Sequence, residues 1–424
     1  MINKQKNDTL IIFTDTYPYS AVGESFLDPE LPILNEYFDK IIIVPRRLPS
    51  SIEKVQRELP SHVTVDTSFL KKRNNRTTNK LSSLVNAIKS IDLYYEILKK
   101  PQLLYKLSIF KKVIGYISLA NETKKWTLNF VNNKNINLSQ TVFYTYWLNS
   151  TTLGIGLAKT NHPNMKLISR AHGLDLYEDR HNPPYIPFRP AVFRYINKLY
   201  LISEHGRRYL SNHYPKYSSI YDVSRLGVFD PKFTAVPSSD KVFRILSCSY
   251  IVPVKRLELL IQGLKELGNS RPEQYFEWAH IGYGPLFSDM EKIARSILPK
   301  NVNYNLFGYF PKEDVLKYYE ENSIDVFINV SKSEGIPVSI MEAQSYGVPV
   351  IATAVGGTPE IVSNDVGILL DKNPTSKEIS DAICTFLDNP EIIHNKKLQS
   401  KTNWSSNYNA EDNFTRFALM LNEL

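Results

Sequence analysis

The sequence predicts an α/β protein built from two parallel-sheet domains, and three observations lead there. Its 424 residues exceed what one ordinary core organises. Short, apolar, β-branched runs alternate with helix-like segments, the pattern of strands buried on both faces. That alternation stops at a polar Pro/Ser stretch, FDPKFTAVPSSDK (229–241), and then restarts. Two successive βα series imply two Rossmann-like domains facing a central cleft.

The first series opens with TLIIFT (9–14) and KIIIVP (40–45), separated by a loop and a helix-like stretch, which is a βαβ beginning. Further strands are expected at TVFYTY (141–146), MKLISRA (165–171), KLYLIS (198–203) and YDVSRLGV (221–228). In the second series FRILSCS (243–249) and FEWAHIG (276–282) read as strands, and RLELLIQGLKEL (256–267) and DVLKYYEEN (314–322) as helices. DVFINV, PVSIMEAQSY and VPVIAT then form a compact strand-helix-strand, followed by GGTPEIV. The expected domains are 1–235 and 236–404, with a final helix at about 405–424 packing back on the first.

Composition is that of a globular protein, with 42% hydrophobic and 22% charged residues. Cys248 and Cys384 lie far apart and match no metal or disulfide spacing, so a reducing interior is expected. The N-terminal apolar run is too short for a signal-peptide core, and no stretch approaches a membrane span. A cytoplasmic protein is the expectation, with the inner face of the cell membrane as an allowed place of work.

Charge is concentrated. Residues 67–121 hold eleven Lys or Arg against Asp92 and Glu96, a local excess of +9 beside a whole-chain charge of +8. Interleaved Leu, Ile, Tyr and Phe make this window read either as amphipathic helices for an anionic lipid surface or as a solvated helical face. Nucleic acid is not an expected partner, because no helix-turn-helix, RNP-type or zinc signature accompanies the charge.

The stretch SKSEGIPVSIMEAQSYG (331–347) carries the chemistry. DVFINV ends a strand, SKSEG is a loop, Pro337 suits an early helix position, and Gly347 suits its stop. A loop-to-helix junction at a strand's C-terminal end is where open α/β sheets bind ligands. The backbone N–H groups of Val338 and Ser339 are then free to meet a phosphate, next to Gly335 and Ile336. Glu334 and Glu342 stand eight residues apart, roughly 12 Å along a helix at 1.5 Å per residue. That span suits a diphosphate with a sugar on either side, Glu342 accepting from ribose hydroxyls and Glu334 from a second sugar. On spacing alone the alternative stays open that both acids only decorate the helix.

The run SEGIPVSIMEAQSYGVPVIATAVGGTPEIV closely resembles the E-x7-E motif of family 4 of the retaining glycosyltransferases, which have the GT-B architecture. TYPYSAVGESFLDPELPIL (16–34), RAHGLDLYE (170–178), VSRLGV (223–228), IVPVKRLELLIQGL (251–264) and WAHIGYGPL (278–286) match in the family's order and span most of the chain. The resemblance implies that Glu334 contacts the donor sugar, Glu342 the nucleotide ribose, and Lys255 the departing diphosphate. It implies an active-site role for His172, with Asp175 beside it as orienter or acceptor ligand. Gly23, in the first βα loop, is expected to let a phosphate or acceptor approach the backbone. That loop lacks a full G-x-G-x-x-G, which disfavours a nicotinamide cofactor.

One departure stands out. Many members carry Gly-Arg five to six residues before the lysine, where this chain has Ser249 and Tyr250. A tyrosine donates one neutral hydrogen bond and does not replace the arginine's charge, so Arg256 is the candidate substitute. The implied reaction is glycosyl transfer from a UDP- or GDP-sugar to a glycan or lipid-linked glycan, with retention, no metal and no cofactor beyond the donor substrate. Bacterial surface polysaccharide synthesis is the expected setting. A nucleotide-sugar epimerase or hydrolase, or a non-catalytic nucleotide-sugar-binding subunit, are the alternatives. GGTPE (356–360) reads as structural, with Thr358 as N-cap and Pro359 at the first helical position.

Overall fold

The computed structural model describes residues 7–19, 24–48, 57–74, 87–88, 90–100 and 106–424, without the side chains of 72–74. The chain folds as two compact units. The first takes in the chain to Ile202, Gly206–Ser224 and Phe414–Leu424, and the second Ser203–His205 and Arg225–Asn413.

In the first unit the strands are β1 (Thr9–Thr14), β2 (Lys40–Pro45), β3 (Val63–Val65), β4 (Thr141–Thr145), β5 (Lys166–Ala171), β6 (Lys198–Leu201) and β7 (Tyr221–Val223). They form one parallel sheet in the order β3-β2-β1-β4-β5-β6-β7, with Thr9 of β1 opposite both Lys40 and Thr141. The period of two sends Leu10 and Ile12 to one face and Ile11 and Phe13 to the other. Leu31 and Leu34 of helix Leu27–Tyr37, with Phe417 and Leu421 near the C-terminus, cover the first face. Val113, Ile117 and Trp126 of helix Leu107–Asn133 cover the second. Apolar burial on both faces is why these strands read as continuous hydrophobic runs.

A fully buried ion pair crosses this packing. The Arg170 guanidinium meets the Glu30 carboxylate, donates to Ser224 Oγ at 2.9 Å, and lies 4.2 Å from the centre of the Phe417 ring. Removing either partner strands a charge in the core, which ordinarily costs about 3–5 kcal/mol.

The second unit repeats the plan with β8 (Val242–Cys248), β9 (Tyr275–Ile281), β10 (Val302–Gly308), β11 (Val326–Asn329), β12 (Val350–Thr353) and β13 (Gly367–Leu370). Its parallel order is β10-β9-β8-β11-β12-β13, so the direction of winding reverses between β8 and β11. Helices Leu257–Ser270 and Ser376–Asp388 pack through Leu260, Ile261, Leu264, Ile379 and Ile383.

Residues 225–235, which the sequence reading places in the first domain, pack with the second unit. Val228 N–H donates to Tyr408 O at 3.0 Å, Trp404 Nε1 donates to Val228 O at 3.2 Å, and Ala235 N–H donates to Tyr346 O at 2.9 Å. An extended segment must satisfy its backbone groups somewhere, and this one does so along helices of the second unit. Three strands absent from the sequence reading, β3, β10 and β13, all lie at sheet edges.

Candidate functional site

In the second unit β11 ends at Asn329, a loop follows, and Pro337 occupies the N-cap of helix Val338–Ser345 with no side chain capping it. The first N–H groups of that helix, on Val338 and Ser339, therefore lack a side-chain partner, and the positive end of the helix dipole is exposed to whatever docks there. Glu334 sits in the loop, buried, at the point where two side chains converge on its carboxylate. Lys255 Nζ stands 2.6 Å from Glu334 Oε1, and Asn329 Nδ2 reaches the same oxygen at 3.4 Å. Asn329 also accepts the Ser331 N–H at 3.0 Å, which fixes its amide. The cation-carboxylate pair thus lies at the strand end beside an open helix start.

The loop is braced from below. Arg256, at φ 51°, turns its guanidinium inward, Nε donating to Val330 O at 2.6 Å and Nη2 to Ser331 O at 2.9 Å. Nη1 reaches Asn373 Oδ1 at 3.3 Å. Arg256 is therefore placed otherwise than expected: its donors hold the Glu334 loop and do not replace the missing arginine charge. Thr353 Oγ1 donates to Ser331 O at 2.6 Å, and Lys332 N–H donates to Val254 O at 2.7 Å.

The glycine pair in GGTPE is the part of the site that sequence reasoning missed. Gly356 has φ +54°, and a Cβ there would fall 1.9 Å from Glu334 O. Gly357 N–H donates to Gly335 O at 2.8 Å, and its Cβ would fall 2.3 Å from that oxygen. Gly357, not Thr358, is the N-cap of the short helix Thr358–Ile361. Two bare glycines are required because the backbone of Glu334 and Gly335 lies where side chains would be. Gly-Gly facing the E-x7-E loop is the one signal that points to this contact.

Glu342 differs from Glu334. It lies in the second turn of its helix, its carboxylate has no hydrogen bond or ion pair among the described residues, and burial raises its pKa against the pull of Lys312. An ionisable acceptor held without a partner is available to a ligand's hydroxyls. Burial pushes the nearby Cys248 thiol up to about 12, Glu342 adding to the shift and Lys255 opposing it. Tyr250 follows β8 and is more than half exposed, as is Tyr283 after β9. The loops carrying them are stitched together, Ile251 N–H donating to Tyr283 O at 2.9 Å and Gly282 N–H to Gly308 O at 2.7 Å.

The first unit carries the other sequence-marked residues. His172, directly after β5, is buried between the rings of Tyr146 and Trp147, at centroid distances of 4.7 and 4.5 Å. Its Nδ1 is 3.6 Å from Asp175 Oδ2, beyond a hydrogen bond, and neither ring nitrogen has a hydrogen-bond partner among the described residues. Asp175 accepts three backbone N–H bonds, from His172 at 2.8 Å, Gly173 at 3.1 Å and Leu148 at 3.0 Å. Burial alone would raise its pKa, but His172 and these donors outweigh that and hold it low. A carboxylate so engaged orders the His172 loop.

Gly23 lies outside the described residues, but its neighbour Glu24 supplies an unanticipated brace. Its carboxylate accepts from the backbone N–H of Asp15 at 2.6 Å and of Thr16 and Tyr17 at 2.8 Å each. It also accepts from Trp147 Nε1 at 2.7 Å, and so fixes the indole that packs, tilted, against His172.

Two parallel α/β units of this topology make the GT-B fold, and residues 229–404 match the family model for glycosyl transferases group 1. Among curated relatives, AmsK of Erwinia amylovora, an amylovoran biosynthesis glycosyltransferase, is 31% identical over 155 residues, 34% of this chain and 36% of that one. WcaL of Escherichia coli, a putative colanic acid biosynthesis glycosyltransferase, is 25% identical over 180 residues, 40% of this chain and 43% of its own. The chain therefore spans well under half the length of these relatives. Of solved structures, Anabaena HepE in complex with UDP superposes with a TM-score of 0.65 at 14% identity, covering 98% of this chain and 100% of that one.

Proposed function

We propose that this chain is a retaining glycosyltransferase of family 4, moving a sugar from a UDP- or GDP-sugar to a hydroxyl of a glycan or lipid-linked glycan. The observation that carries the proposal is the Lys255–Glu334 pair at the end of β11, beside an uncapped helix start, inside the segment that matches the glycosyltransferase model. The polysaccharide-biosynthesis glycosyltransferases among its relatives and the UDP bound to HepE support a nucleotide-sugar donor and a setting in surface polysaccharide assembly.

In this reading the diphosphate lies against the Val338 and Ser339 N–H groups and the Lys255 ammonium. As the bond from the anomeric carbon to the diphosphate oxygen breaks, negative charge grows on the leaving group, and these groups stabilise it without a metal. Lys255 then exchanges part of its contact with Glu334 for the phosphate, which frees Glu334 oxygens for hydroxyls of the donor sugar. Glu342, unpartnered, accepts from the ribose. His172, whose ring nitrogens have no hydrogen-bond partner among the described residues, is in this reading kept for a substrate hydroxyl.

Tyr250 in place of the family's arginine favours a second reading, a nucleotide-sugar-binding subunit without turnover, because Arg256 is committed elsewhere. One experiment separates them. Melting temperature is measured against UDP-, GDP- and ADP-sugars, since a ligand bound only by the folded state raises it, and the stabilising donor is then assayed for nucleotide release with and without glycan acceptor. Transfer with the anomeric configuration kept, cut by about 10²–10³ in Lys255→Ala, is expected. Stabilisation without release supports the binding subunit, and release of free sugar without acceptor supports the hydrolase or epimerase.

A further inference from the structure

Helix Ile91–Lys99 is partly inverted: Leu93 and Ile97 pack on the core, but its acids lie inside with them and its other apolar side chains outside. Its two acids point inward: Asp92 and Glu96 are 3% and 7% exposed, while Ile91, Tyr94, Tyr95 and Leu98 are 66%, 51%, 50% and 75% exposed. Positions i, i+3, i+4 and i+7 form one stripe on a helix, so these four make a continuous apolar face that the fold presents outward.

The inversion is held by specific contacts. Glu96 accepts the Tyr185 hydroxyl at 2.5 Å and the Phe188 N–H at 3.1 Å. Lys100 lies 4.7 Å from the Tyr185 ring centre, and Lys112 Nζ donates to Tyr185 O at 2.7 Å, which ties the start of helix Leu107–Asn133 to the same residue. With both acids buried, the charges left outside on this helix and the next one's start are cationic. Lys99, Lys106 and Lys111 are exposed and have no ion pair among the described residues, and Leu107 stands 66% exposed between them.

We propose that this apolar stripe with its lysine rim is a docking surface for an anionic phospholipid bilayer. Leucine and isoleucine reach the acyl boundary, the two tyrosines sit at headgroup level where one end of the ring is apolar and the other wet, and the lysines meet lipid phosphate. None of the described helices is long and apolar enough to cross a membrane, so the contact is peripheral. A protein partner would bury the same stripe but gives no reason for a rim of one sign.

Co-sedimentation with vesicles of equimolar phosphatidylglycerol and phosphatidylcholine tests this on the full chain, and needs neither donor nor acceptor, so it fails or succeeds apart from the sugar-transfer reading. Binding is expected to these vesicles, at least about tenfold weaker to phosphatidylcholine alone, and reduced by salt. Leu98→Asp should weaken binding about tenfold or more, and Lys99→Glu with Lys106→Glu and Lys111→Glu about a hundredfold, at unchanged melting temperature. The proposal is overturned by vesicles that leave the protein in the supernatant at low salt, by variants that bind as the parent does, or by a concentration-dependent dimer that Leu98→Asp abolishes.

Discussion

His172 and His280, one in each unit, are both buried at the C-terminal end of a parallel strand, β5 and β9, and they are treated in opposite ways. His280 is satisfied on both sides: Ser247 Oγ lies 2.8 Å from its Nδ1, and its Nε2 lies 3.2 Å from Ser249 O. Ser247 also accepts from Trp278 Nε1 at 2.9 Å, so its hydroxyl proton is free to go to Nδ1, and the ring is neutral with its own proton on Nε2. His172 has a braced loop, an indole tilted against it at 4.5 Å, and no hydrogen-bond partner for either nitrogen among the described residues. Buried polar groups nearly always find partners, and one that its surroundings hold in place without pairing is kept for something that arrives. The lesson is that burial does not separate a structural histidine from a functional one, whereas satisfaction does.

Exchanging the two readouts is the strongest way to break this comparison. His172→Ala should lower the rate of sugar transfer per folded molecule by about 10²–10⁴, beyond the stability lost with its packing between Tyr146 and Trp147. A His172 variant that unfolds early but turns over at the parent rate per folded molecule would make His172 structural after all.

His280 should show the reverse, and pH sharpens it. Burial lowers its pKa from 6.5 to about 4, so between those values the unfolded chain binds a proton that the folded chain refuses. The stability contributed by the neutral ring is therefore whole above about pH 6.5 and is lost as pH falls toward 4, a span of about 3 kcal/mol. His280→Gln should cost about 1–3 kcal/mol at neutral pH, with the gap to the parent narrowing by roughly 2 kcal/mol by pH 5. Urea unfolding at both pH values measures it, and a gap that widens in acid contradicts the neutral-ring assignment.

The Glu334 loop offers a paired test on glycine. Gly356 and Gly308 both have positive φ, +54° and +78°, but a Cβ on Gly308 meets nothing within 4 Å, whereas one on Gly356 strikes Glu334 O. Either alanine variant should cost about 1–2 kcal/mol for the left-handed backbone. Only Gly356→Ala should also displace Glu334 and weaken donor affinity, by about tenfold or more, as read by calorimetric titration. Equal donor affinity in the two variants would remove Gly356 from the site.

What was legible in the sequence follows from how local each signal is. Central strands such as β1 and β2 are apolar on both faces and stood out at Thr9–Thr14 and Lys40–Pro45. The missed strands β3, β10 and β13 are sheet edges, where solvent takes one side; β10 alternates buried and exposed positions and carries Asn303 and Asn305. At the site, Glu334, Glu342 and the helix start share one short segment, and the reading placed them together. Lys255 is 79 residues from Glu334; the motif order assigned it to the donor diphosphate and gave no sign of its ion pair with Glu334. Glu24 and Trp147 are 123 residues apart, and neither residue type at that distance carries a pattern. Gly356 was read by its helix-start chemistry because the backbone it makes room for lies in another loop.

The smallest expected effect probes that long-range brace. Trp147→Phe keeps an aromatic face on His172 and removes only the indole N–H that Glu24 accepts. Glu24 keeps its three backbone donors, so the unit should lose no more than about 1–2 kcal/mol of stability. A ring freed to tilt loosens His172 without deleting it, and the rate should fall by about tenfold or less with the donor KM unchanged, because the donor's nucleotide contacts lie elsewhere. A rise in KM at unchanged kcat would mean that Trp147 contacts a substrate directly, and His172 would then owe its orientation to Asp175 and the backbone alone.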